Sequence, residues 1–248
     1  MSWPKLLPCP PFQRRPPLRD CMAAIAQPEL YRNFAVHLLV MAPAGTVMAW
    51  IASRIDHVLG WAPLVPWPWS LIPGLGLIIA GGLWVWYVYG YLFLSGRGSP
   101  GSHVDGGPTV LVDTGPYTMI RHPSVLGKVA GVLGLAMLFG SKVFLVAFLP
   151  LLVAYSLLTN RYLQERACDA RFGDAYARYR RLVPMIVPRP AGIARWLRDE
   201  GALGEAAPAS GPSPRIAFIE LRWYLLGLVC LIAFFVGVFA LVLGMSGG

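Results

Sequence analysis

Two short stretches carry residues whose types and spacing can do chemistry. The first is Arg121-His122-Pro123-Ser124, a guanidinium and an imidazole set just ahead of a long apolar run. Proline suits the first turn of a helix, where its missing N–H is no loss, so Pro123 is expected to open a helix and hold His122 at its positive end. Arg121, His122 and the free N–H groups of that turn would then face one spot, which favours a carboxylate or another anion. An isolated RHP is more often only a helix cap that meets lipid phosphate. The second stretch holds Arg161 and Glu165, four residues apart and therefore on one helix face. In the functional reading Glu165 accepts from an ammonium group while Arg161 holds an anionic or polar substrate group. In the structural reading they form an interfacial ion pair worth little.

Other candidates are weaker. Tyr176 and Tyr179 suit interfacial aromatic anchors. Lys128, one turn beyond Ser124, is placed to snorkel to the interface, with a base toward an amine or thiol as its functional alternative. His37, His57, His103 and His122 lack ligand spacing and the four cysteines lack a CxxC pair, so no metal site and no disulfide framework are expected.

The elements that must position these residues follow from composition. The chain has 248 residues, 56% of them hydrophobic and 13% charged, with mean hydropathy +0.57. A soluble domain carries about 25% charged residues, so that class is excluded. Apolar residues collect into five runs long enough to cross a hydrocarbon core of about 30 Å: about 34–53, 71–95, 124–140, 142–160 and 221–244. Lipid cannot satisfy backbone polar groups, so each run is expected to be helical. The predicted fold is all-α, a polytopic integral membrane bundle of about five transmembrane helices. Helices three and four join through Gly140-Ser141-Lys142, which predicts an antiparallel hairpin.

Charge sets the orientation. Of 21 Lys and Arg, 17 fall in the N-terminal arm and the second and fourth loops, and two in the first and third loops. The N-terminus and both long loops are therefore expected in the cytoplasm, with the cofactor site on that face. The net charge of +9 is explained by contact with anionic lipid rather than nucleic acid. Residues 1–30 read as a flexible Pro/Arg-rich arm, 31–190 as the membrane core, 191–215 as a linker, and 216–248 as an additional C-terminal helix. Abundant Ala, Gly, Pro and Arg with few Lys suggests a GC-rich bacterial genome, and hence the inner membrane.

GPYTMIRHPSVLG, a short apolar hairpin, and QERACDARFGDAYARYRRLVPMIVP together resemble the isoprenylcysteine carboxyl methyltransferase and phospholipid methyltransferase superfamily. Its pattern is G-x-Y-x-x-x-R-H-P-x-Y-x-G, a helix pair, an E-E or R-x-x-x-E-E element, and F-G-x-x-Y-x-x-Y-x-x-x-V-P-x-x-x-P. The resemblance covers about 96–188. It implies S-adenosyl-L-methionine contacts at Thr109, Val110, Leu111, Val112, Tyr117, Arg121, His122, Pro123, Ser124, Val125 and Glu165, with Arg161 as the substrate-side, catalytic arginine. Two positions depart from the pattern. Val125 replaces the usual tyrosine, and Gln164-Glu165 replaces the paired glutamates.

The implied activity is methyl transfer to a lipophilic acceptor, a prenylcysteine-like carboxylate, a lipid amine or a thiol, at the cytoplasmic membrane face. Two alternatives share the scaffold. One is an NADPH-dependent membrane reductase of the sterol-reductase type, whose E-x-x-C-x-x-x-[FY]-G block ERACDARFGDAY partly echoes. The other is a non-catalytic membrane subunit.

Overall fold

The computed structural model describes residues 16–24, 26–96 and 108–198, with isolated positions between 208 and 244. Eight α-helices occur among them. They are α1 (Leu18–Ala24), α2 (Pro28–Val58), α3 (Leu71–Gly96), α4 (Ser124–Leu138), α5 (Leu149–Thr159), α6 (Glu165–Phe172), α7 (Asp174–Leu182) and α8 (Pro190–Leu197). Wide π turns at Phe144–Phe148 and Asn160–Gln164 join the pieces around α5, so one helix continues from Phe144 to Phe172. No strand occurs among the described residues, and Val110 with Pro208 forms an isolated antiparallel bridge.

The helices follow from local chemistry. Pro28 opens α2 and Pro190 opens α8, each at a first-turn position where no N–H is needed. Gly140 and Gly173 take positive φ, +65° and +51°, at the ends of α4 and α6, a conformation that glycine alone adopts without a Cβ penalty. Among the described residues two helices, Leu71–Gly96 and Phe144–Phe172, are long and apolar enough to cross a bilayer.

The apolar runs from 34 to 160 are helical with shifted ends. The first extends to Pro28–Val58, the third stops at Leu138, and the fourth runs past residue 160 without a break. Most of the fifth run lies outside the described residues, and the positions that are described between 226 and 244 are helical. Residues 18–24, expected in a flexible arm, form α1 against α3. Cys21 is fully buried, and Trp86 Nε1 donates to the Met22 carbonyl at 2.9 Å. Residues 191–197, expected in the linker, belong to α8.

Packing departs from the simple hairpin. The principal partner of α4 is α3, not α5, because facing glycines let the two backbones touch. A Cβ at Gly81 would lie 2.5 Å from the Gly127 carbonyl oxygen, and one at Gly127 would lie 2.5 Å from that of Gly81. Gly74 and Gly134 repeat the contact farther along, in the reversed order that antiparallel helices require. The other face of α4 packs Val132 and Ala136 against Met48, Ala52 and Ile55 of α2 and the stacked pair Phe144 and Phe148. At that end Asp56 of α2 accepts from the Ser141 hydroxyl at 2.6 Å and the Val143 N–H at 3.1 Å. A carboxylate from one helix thus caps the start of another, which suits the positive end of its dipole.

Candidate functional site

The segment after α3 is pinned back onto its helix and then led into α4. The Thr109 and Val110 N–H groups both donate to the Gly96 carbonyl, at 2.8 and 3.2 Å. Val112 and Tyr117 are buried with Tyr87, Val88, Tyr91 and Cys21, whereas Leu111 packs against Phe172, Tyr176, Tyr179 and Val183. The Tyr179 hydroxyl donates to the Tyr117 carbonyl at 2.8 Å, joining the two clusters. Gly192 of α8 lies on Thr118 and Met119 so closely that a Cβ would sit 2.6 Å from the Thr118 oxygen.

Beyond Ile120 the chain runs beside Pro184-Met185. The Arg121 N–H donates to the Pro184 carbonyl at 2.9 Å, and the His122 N–H to that of Met185 at 3.3 Å. The Pro123 carbonyl accepts from Trp84 Nε1 at 2.7 Å, so α3 fixes the point where α4 begins. Val125 is fully buried and Ser124 half-buried. Arg121, His122 and the first turn of α4 are thereby held in one place.

Their anion is internal. Glu165, only 1% exposed, accepts at Oε1 from Arg121 Nε (2.8 Å) and Nη2 (2.6 Å), and at Oε2 from Arg161 Nη1 (3.1 Å). Arg121 Nη1 donates onward to the carbonyls of Arg180 (2.9 Å) and Val183 (2.6 Å). One guanidinium therefore ties the loop before α4 to α6 and to the end of α7. The His122 Nε2 lies 3.8 Å from Glu165 Oε1 and is buried with no hydrogen-bond partner.

Arg121, His122, Arg161 and Glu165 thus converge although 39 positions separate His122 from Arg161 and 44 separate Arg121 from Glu165. Thr109, Val110, Leu111, Val112 and Tyr117 take separate places around the end of α3 and the tyrosine clusters. Sequence reasoning assigned no role to Asn160, buried in the π turn below Glu165. Its only signal was a polar side chain ending an apolar run. Residues 69–166 match the phospholipid methyltransferase family.

That stretch of the chain is similar to phospholipid methyltransferases. Over 80 residues the chain is 38% identical to the protein-S-isoprenylcysteine O-methyltransferase of Schizosaccharomyces pombe. That stretch is 32% of this chain and 33% of the relative, so the chain spans about a third of the length of this curated relative. No solved structure matches. The matched span contains Arg121, His122, Arg161 and Glu165, while the carbonyls of Arg180 and Val183 that hold Arg121 lie beyond it.

Electrostatics around the loop before α4 follow from burial. Burial pushes the His122 imidazole below its ordinary 6.5, the Glu165 carboxylate opposes that shift, and the Arg121 and Lys128 charges reinforce it. Burial also raises Tyr117, Tyr176 and Tyr179 well above 10, so all three remain protonated. For His122 the folded value lies below the unfolded one, and at acidic pH the unfolded chain binds more protons. Stability is therefore complete above about pH 6.5 and falls as the pH drops toward the folded value. The apparent melting temperature should drop between pH 7.5 and 5.5, and His122→Gln should shrink that drop. An equal drop in parent and variant would remove His122 as its source.

Proposed function

We propose that the protein is an S-adenosyl-L-methionine-dependent integral-membrane enzyme that transfers a methyl group to a lipophilic acceptor at the cytoplasmic face. The acceptor is a prenylcysteine-like carboxylate, a lipid amine or a thiol. The observation that carries this reading is the Arg121, His122, Arg161 and Glu165 cluster inside the span similar to phospholipid methyltransferases. The 17-to-2 division of basic residues supports a cytoplasmic N-terminus, and the five apolar runs support five crossings in a bacterial inner membrane.

The chain's own groups fit the cofactor. His122 Nε2 is buried without a partner, and a carboxylate offers about four acceptor positions, of which the two arginines occupy three on Glu165. His122 and Glu165 would hold S-adenosyl-L-methionine together with Arg121, the strip Thr109-Val110-Leu111-Val112, Tyr117 and Pro123-Ser124-Val125. When bound, its sulfonium supplies an electrophilic methyl group. Glu165 attracts an ammonium group, Arg121 keeps that carboxylate charged and oriented, and burial of the pair excludes water. Arg161, with 55% of its side chain exposed, keeps donors free to orient the polar end of the acceptor.

Calorimetry on the detergent-solubilised protein tests the reading. Micromolar-range binding of S-adenosyl-L-methionine or its demethylated product is expected, with no heat from NADPH. A response to NADPH alone would move the assignment to the reductase alternative, and silence toward all three would leave the non-catalytic subunit.

A further inference from the structure

Asn160 ends the apolar stretch Leu149–Thr159 and is 6% exposed. Its side-chain amide nitrogen is fully buried and has no hydrogen-bond partner. A buried donor left unpaired weakens a fold, so such a group calls for a ligand or another explanation.

The backbone around it is also unusual. In the π turn Asn160–Gln164 the Glu165 N–H donates to the Asn160 carbonyl, which stacks Asn160 one wide turn below Glu165. Insertions of this kind recur at functional sites. The second unpaired buried atom of this neighbourhood is His122 Nε2, 3.8 Å from Glu165 Oε1. The two differ in approach. His122 stands in the loop before α4, whereas Asn160 stands on the apolar side of Glu165, where α5 leaves its hydrocarbon-compatible stretch.

We propose that Asn160 binds the acceptor. Its amide N–H donates to a carbonyl-type oxygen at the polar end of a lipophilic ligand that enters between the helices. Asn160 thereby selects lipophilic molecules that carry such an oxygen over those that lack one. The methyl-transfer reading enters only in calling this ligand the acceptor.

Two probes in nonionic detergent test the proposal by calorimetry. N-acetyl-S-farnesylcysteine carries carbonyl groups at its polar end, and farnesyl methyl sulfide carries none. The parent should bind the first at least tenfold more tightly than the second. Asn160→Leu should abolish that preference, leave the sulfide and S-adenosyl-L-methionine affinities unchanged, and melt no lower than the parent, because it deletes an unsatisfied donor. Asn160→Asp, isosteric and at pH 8 without the donor, should lose the preference as well, and it decides the matter should the leucine variant not fold. A parent without the preference, or an aspartate variant that keeps it, overturns the proposal, as does a leucine variant that melts lower and loses both probes together. A preference that depends on Asn160 in a protein that gives no heat with S-adenosyl-L-methionine would sustain this ligand contact while ending the methyl-transfer reading.

Discussion

Arg121→Met is expected to cost the folded protein about 3–5 kcal/mol, the usual penalty for removing one partner of a buried ion pair. The reason is the position of Glu165, which is 1% exposed and takes two of its three hydrogen bonds from this guanidinium. Arg161 cannot replace them, because it is half in solvent and reaches only Oε2. The substitution also strips the Arg180 and Val183 carbonyls of their donor, so three segments lose their common tie. Arg121→Lys should recover only part of the loss, since an ammonium cannot present the fork that meets one carboxylate and two carbonyls at once. Glu165→Gln keeps the shape and loses the charge, and should cost about 1.5–3 kcal/mol. In denaturant unfolding followed in detergent, Arg121→Met/Glu165→Gln should be more stable than Arg121→Met alone, because the uncompensated charge is gone. If Arg121→Met unfolds at the parent's midpoint, the pair is solvated and the site is not built as described.

The positions of the helices were legible because a bilayer allows few alternatives. Runs of about 20 apolar residues have to be helical, and four of the five appear as helices with ends displaced by at most a few turns. What periodicity cannot reveal is where a helix continues after its apolar stretch ends. The helix through α5 runs on into the charged residues 161–172 because a π turn lets it leave the apolar region without breaking. That turn also sets Glu165 and Asn160 one above the other, a relation that four-residue spacing does not express.

The site was half legible. Of the expected anion-favouring spot at the start of α4, Arg121 does hold a carboxylate, that of Glu165, whereas His122 Nε2 stays 3.8 Å from it and the Val125 and Leu126 N–H groups donate to the His122 and Pro123 carbonyls. Only the resemblance set that spot beside Glu165, as contacts of one cofactor; residue spacing has no means of pairing them, because the two meet only through the return of the chain after α6 and α7. In consequence the spacing rule joined Glu165 to Arg161, whereas the buried partner is Arg121. Asp56 escaped notice for a similar reason, since its cap on the helix after Ser141 spans 85 residues to the Ser141 hydroxyl. Local rules find groups that a helix presents, and long-range pairs need the fold.

The close approach of α3 and α4 carries the second large effect. At Gly127 an added Cβ would lie 2.5 Å from the Gly81 carbonyl oxygen and 2.6 Å from Val85 Cγ2. The first of these is backbone, which no rotamer change can move. An ordinary contact needs 3.4 Å or more, so the helices must part by about 1 Å at their tightest crossing, and every facing residue loses contact with them. Gly127→Val should therefore cost about 3 kcal/mol, the upper end of the usual range for overpacking. The displacement would also reach the site, because Gly127 is one turn from Pro123, whose carbonyl holds Trp84 of α3. Binding of S-adenosyl-L-methionine should weaken with stability, although Gly127 touches none of the charged residues of the cluster. Gly131 supplies the control on the same helix. Nothing lies within 4 Å of its added Cβ, so Gly131→Ala should be neutral or stabilise by about 0.5–1 kcal/mol through the lower entropy of its unfolded chain. Thermal unfolding of Gly127→Ala and Gly131→Ala in one detergent compares them at constant chemistry. Equal melting temperatures would mean that the backbones do not touch at Gly81 and Gly127, and that glycine there serves no packing purpose.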